Sequence, residues 1–69
     1  MRIVSQDRLY SVNFDRCELW MQGKQIYAKI GNESRVLGLY KTEESAITVF
    51  KVIHEMYQTG EKVFYIPEE

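Results

Sequence analysis

The stretch "CELWMQGKQIYAKI", residues 17–30, decides how this chain is read. Gly23-Lys24 marks a tight turn, because glycine accepts the positive φ that a two-residue hairpin requires. With that turn, Gln22 faces Gln25, Met21 faces Ile26, Trp20 faces Tyr27, Leu19 faces Ala28 and Glu18 faces Lys29. Side chains alternate across a strand, so Cys17, Leu19, Met21, Ile26, Ala28 and Ile30 share one face. The other face carries an opposite-charge pair beside an aromatic pair. A slip of one residue would scatter both sets, so the chemistry itself selects this register. Large apolar side chains nevertheless fall on both faces. One face is core, and the second requires a separate explanation.

Upstream, residues 2–6 and 9–14 read as two strands with Asp7-Arg8 between them. A two-residue turn there wants glycine at its second position, and Arg8 is a poor substitute, which leaves a bulged or longer loop open. Downstream, residues 35–40 form another strand after "GNES". Its parity is not fixed: either Val36 and Tyr40 point inward with Leu37 and Leu39 outward, or the reverse. Thr42 is a natural N-cap, Glu43 and Glu44 suit the positive end of a helix dipole, and Gly60 suits the position just past its end. Ala46, Val49, Phe50, Val52, Ile53, Met56 and Tyr57 then gather on one helical stripe, with only Ile47 out of place. "KVFYIP" supplies a last strand ended by Pro67.

These elements predict a single small α+β domain over residues 1–69: an antiparallel meander of five to six short strands, one amphipathic helix on one face, and a final strand after the helix. One helix covers one side of a sheet. Trp20, Tyr27 and two of Val36, Leu37, Leu39 and Tyr40 are then expected on the uncovered side. Aromatic side chains present about 150–250 Å² each, so this patch is expected to exceed the few hundred Å² usual on a monomer.

Composition narrows the chemistry. Of the 69 residues, 45% are hydrophobic and 28% charged, which suits an ordered globular chain. Cys17 and His54 are the only residues of their kinds, so neither an intrachain disulfide nor a cysteine-rich zinc site is expected, and the reading is of a reducing compartment with no metal and no cofactor. A core this small is commonly supplemented by disulfides, metal or assembly, and assembly is the option left. The charges are scattered, with a net charge of −1, which predicts no extended nucleic-acid partner. No apolar run approaches a membrane span, and the start lacks a signal-peptide core, so a cytoplasmic protein is expected. Cys17 with His54 lacks a third orienting group, and Glu43, Glu44, Asp7 and Asp15 read as helix-start and turn residues. No catalytic residue is therefore assigned. Tyr10 and Tyr65 could stack on bases while Arg8 and Arg35 hold phosphate; tyrosine is also simply common in strands.

"MRIVSQD" at the start, "IYA" in mid-chain, "LGLYKTEESA" into the helix and "VFYIPEE" at the end resemble a group of short proteins from phages and mobile elements of Firmicutes. In that group glycine usually follows "SQD", where this chain has Arg8, and the position of Leu39 is often polar, which implies that Leu39 points outward. The resemblance implies no activity or functional residue. It implies a phage or mobile-element accessory protein in the cytoplasm of a bacterial host. The resulting expectation is a non-enzymatic homo-oligomer, dimer or higher, assembled through Trp20, Tyr27 and Leu39. It would sequester a nucleotide-type host defence signal with Tyr10, Arg8, Arg35 and Tyr65. The alternative is an inhibitor or adaptor that engages a host protein through the open sheet face.

Overall fold

A computed structural model describes residues 1–69. In chain order it contains β1 (Arg2–Val4), β2 (Ser11–Asn13), a 3₁₀ turn (Phe14–Arg16), β3 (Glu18–Gln22), β4 (Gln25–Ile30), β5 (Glu33–Leu39), α1 (Glu43–Gln58) and β6 (Val63–Tyr65). The fold is α+β, with one helix and a final strand after it. The strands divide into two three-stranded sheets, ordered β2-β1-β6 and β3-β4-β5. The last strand returns to pair parallel with the first, placing Ile3 opposite Phe64.

The β3–β4 hairpin has the register read from its chemistry, from Gln22 opposite Gln25 through Glu18 opposite Lys29, and Gly23 takes φ +60° at the turn. The next hairpin is tighter than the sequence suggested. Ile30 pairs with Glu33 across Gly31-Asn32, so β5 begins within "GNES". Neither predicted parity of β5 holds throughout. Ile26 faces Gly38 while Tyr27 faces Val36, so Leu37 is an extra residue, a β-bulge that resets the alternation. Leu37 and Tyr40 are consequently buried, and Val36 and Leu39 are exposed. Gly38 sits just past the bulge because a Cβ there would lie 3.0 Å from both Ile66 Cγ2 and Tyr40 Cε2.

Both sheets and the helix share one core of Ile3, Val12, Ile26, Ala28, Leu37, Tyr40, Ala46, Ile53 and Ile66. The helical stripe supplies Ala46 and Ile53 fully, with Val49 and Phe50 packed at the margin. Thr42 caps the helix by accepting from the Ser45 N–H at 3.1 Å. At the other end Gly60 donates to Tyr57 O and Glu61 to Met56 O, both at 3.1 Å, the double bond of a Schellman ending. Burial pushes the Tyr40 hydroxyl up to about 12, followed by the effect of the Glu69 carboxylate. The neutral phenol donates to Pro67 O at 2.6 Å and fastens the segment after β6.

At the first hairpin the longer of the loops left open is found, and both strands are shorter than expected. β1 ends at Val4 and β2 starts at Ser11, joined by a loop that Ser5 and Tyr10 close with a 2.9 Å backbone bond. Asp7 accepts from Ser5 Oγ at 2.6 Å and from the Leu9 N–H at 3.0 Å, and these bonds hold its carboxyl below the usual carboxylate range. Arg8 adopts φ +67°, the only non-glycine residue with positive φ. Its Nη1 compensates by donating to Ile66 O at 2.8 Å and Ser5 O at 3.2 Å. Strand 2 stops early because the Asn13 side chain accepts from the Asp15 N–H at 2.9 Å and starts the 3₁₀ turn.

The left-handed conformation costs an ordinary residue roughly 1–2 kcal/mol. Arg8→Ala retains that cost and loses both guanidinium bonds, whereas Arg8→Gly loses only the bonds. Urea unfolding should therefore find Arg8→Gly less destabilised than Arg8→Ala by about 1 kcal/mol. Equal losses would show that the loop relaxes away from this conformation.

Candidate functional site

The outer face of β3–β5 is built by the ladder itself. Paired residues point to the same side of a sheet. Trp20, Tyr27 and Val36 therefore form one row, Gln22, Gln25 and Leu39 a second, and Glu18, Lys29 and Ser34 a third. α1 packs on the opposite side, against Ile26 and Ala28. Trp20 and Tyr27 stack with ring centroids 5.2 Å apart and planes 11° from parallel. The Tyr27 hydroxyl donates to Gln25 Oε1, which fixes the ring against the sheet. Trp20 and Tyr27 are half-buried by this mutual packing, while Val36 and Leu39 remain 41% and 56% exposed. The bulge is what places Val36 and Leu39 here together, despite their odd spacing in sequence.

The four residues considered for a ligand form two separate pairs on either side of the Ser5–Tyr10 loop. The Arg8 guanidinium lies over the Tyr65 ring at 5.1 Å, on the outer side of the β2-β1-β6 sheet. The Arg35 guanidinium lies over the Tyr10 ring at 5.2 Å, beside the edge of β5, where the Tyr10 hydroxyl donates to Val36 O. Burial raises the Tyr10 hydroxyl above its ordinary value, with Asp7 adding to the effect and Arg35 opposing it. The two arginines differ in freedom. Arg8 is committed to two carbonyls, whereas the Arg35 side chain is 55% exposed and hydrogen-bonds only Glu33, at 3.5 Å. None of the four lines a concavity; the nearest, formed by Gln6, Asp7, Val36, Leu37 and Gly38, lies against the same loop.

Sequence reasoning missed the groups that hold this region. Ser5 is buried and donates to Asp7, and its spacing from Asp7 is a recognisable side-chain turn signal. Gln6 carries no such signal, because its partners lie far along the chain. Leu9 at the loop tip is 82% exposed and also went unnoticed.

Cys17 and His54 do not form a linked pair. The Cys17 thiol approaches Phe14 O at 3.8 Å, and His54 Nδ1–H donates to Phe50 O at 2.9 Å while its ring meets the Phe14 edge. The hairpin register predicts Cys17 on the core face, and the structure puts it half-buried at the core's margin. Burial pushes its thiol above the ordinary range, and the Asp15 carboxylate adds to the shift, so little thiolate is available. Cys17→Ala should lower stability by about 1 kcal/mol and leave assembly unchanged, read by thermal unfolding and sedimentation. Loss of assembly in the folded variant would reveal a role for the thiol.

No helix is long and apolar enough to cross a membrane. No family model, curated protein or solved structure matches the chain.

Proposed function

We propose that the protein is a non-enzymatic, homo-oligomeric binding module whose contact surface is the outer face of the β3–β5 sheet. The observation that carries this is the row of stacked Trp20 and Tyr27 flanked by exposed Val36 and Leu39, on the side opposite the only helix. Aromatic residues at the centre of a patch with polar residues around it are the usual make-up of a protein-binding surface. Here the surrounding groups are Gln22, Gln25, Glu18 and Lys29. The resemblance to short phage and mobile-element proteins supports an accessory role in the cytoplasm of a bacterial host, where such a surface engages either a second copy or a host protein. Trp20→Ala should shift the sedimentation of the protein toward monomer while preserving its fold. A wild-type chain that remains monomeric at its highest soluble concentration would reject self-association and leave a host protein as the partner.

A second reading, sequestration of a nucleotide-type defence signal, has a specific observation in its favour: two arginine-on-tyrosine stacks beside one loop. Arg35 is the freer cation and Tyr10 its aromatic neighbour, so a phosphate would meet Arg35 first. Calorimetry against cyclic mono- and dinucleotides should then give binding tighter than about 10 μM, weakened at least tenfold in Arg35→Ala. No nucleotide binding at that level would eliminate this reading.

A further inference from the structure

The strand edges of this fold are not treated alike. The edge of β5 is covered by its own chain: Gln6 donates its backbone N–H to Leu37 O at 2.8 Å, its side chain bonds both the N–H and C=O of Leu39, and Tyr10 bonds Val36 O. β2 and β6 are edges of only three residues each. β3 is a five-residue edge, and no bond from elsewhere in the chain reaches its backbone. It contains no proline, no bulge and no inward-pointing charge, the features by which edge strands avoid pairing. In a two-residue hairpin the closing pair exchanges hydrogen bonds, so Gln22, Trp20 and Glu18 turn their backbone groups toward β4. The N–H and C=O groups of Leu19 and Met21 therefore face outward, unpaired.

We infer that β3 pairs antiparallel with β3 of a second copy, centred on Trp20, joining the two β3–β5 sheets into one continuous sheet. This rests on the self-association proposed above but moves the contact between copies from the outer face to the β3 edge beside it, with Trp20 common to both. The edge is complementary to itself in that register. Leu19 faces Met21 of the other copy and exchanges backbone bonds with it, and the two side chains, half-buried in one chain, close over each other. Glu18 faces Gln22 of the other copy, a carboxylate opposite an amide. The two Trp20 residues meet as a non-hydrogen-bonded pair, in which side chains come closest. The two-fold axis then runs perpendicular to the sheet, so both outer faces lie on the same side. The Trp20–Tyr27 stack of each copy becomes half of an uninterrupted aromatic ladder. A five-residue seam lies at the small end of the interface range, below about 1,200 Å², so the dimer should depend on concentration.

The test uses register. In a Cys17→Ala background, Glu18→Cys and Gln22→Cys are made as separate variants at exposed positions. Opposed non-hydrogen-bonded positions lie about 4.5 Å apart between Cα atoms, within disulfide range. Under mild oxidation, mixing the two variants should yield a disulfide-linked heterodimer, and neither variant alone should cross-link. If the protein dimerises by sedimentation but the mixture shows no preference for the mixed disulfide, edge pairing is overturned and self-association through another contact stands. If the wild type sediments only as monomer, both this geometry and the self-association beneath it fail.

Discussion

Gln6 bridges two sheets that share no strand ladder. Its backbone N–H reaches Leu37 O, its side-chain oxygen and nitrogen satisfy both backbone groups of Leu39, and the same nitrogen bonds Pro67 O at 3.1 Å. A buried or half-buried backbone group without a partner is costly, so these bonds settle where the strap after β1 must lie against β5. They also depend on the bulge at Leu37, which bends β5 toward that strap. With the junction made, Leu37 and Tyr40 enter the same core as Ile3 and Ile66, and a chain of 69 residues obtains one core from two small sheets.

The same junction determines what is left open. It covers the edge of β5 and directs Val36 and Leu39 to the outer face, while the helix occupies the inner side. The polar satisfaction of β5 and the bareness of β3 are thus two outcomes of one arrangement, and the aromatic stack sits between them on β3 and β4. A core of this size has little stability to spare. Sealing Leu19 and Met21 against a second copy would add apolar burial at a margin that the chain itself leaves half-covered.

The Ser5–Tyr10 loop is held by a separate set of side-chain bonds. Asp7 organises the turn through Ser5 and Leu9, and the Arg8 guanidinium reaches back to Ser5 and across to Ile66. Strain at Arg8 is offset by bonds to Ser5 within the loop and to Ile66 on the distant segment after β6. The loop therefore turns Leu9 to solvent and sets Tyr10 beside Arg35, although no element of regular structure runs through it.

Whatever depends on near neighbours can be read from the order of residues. The β3–β4 register, the Trp20–Tyr27 pair, the helix with Thr42 and Gly60 at its ends, and the α+β class all follow from turn chemistry and periodicity within some twenty residues. Arg8, Tyr10, Arg35 and Tyr65 stand out in the sequence as candidates by type, but their pairing as Arg8 with Tyr65 and Arg35 with Tyr10 does not. Tertiary contacts alone set the split into two sheets, the parallel return of β6 to β1, the left-handed Arg8 and the bulge that turns Leu37 inward, while the outward Leu39 agrees with what the resemblance implies. Each of these is fixed by partners far away in sequence: Leu37 by Gln6, Arg8 by Ile66, and Gly38 by the space that Ile66 and Tyr40 leave. Local preference opposed or ignored all of them, and the shared core together with the demand for paired backbone groups prevailed.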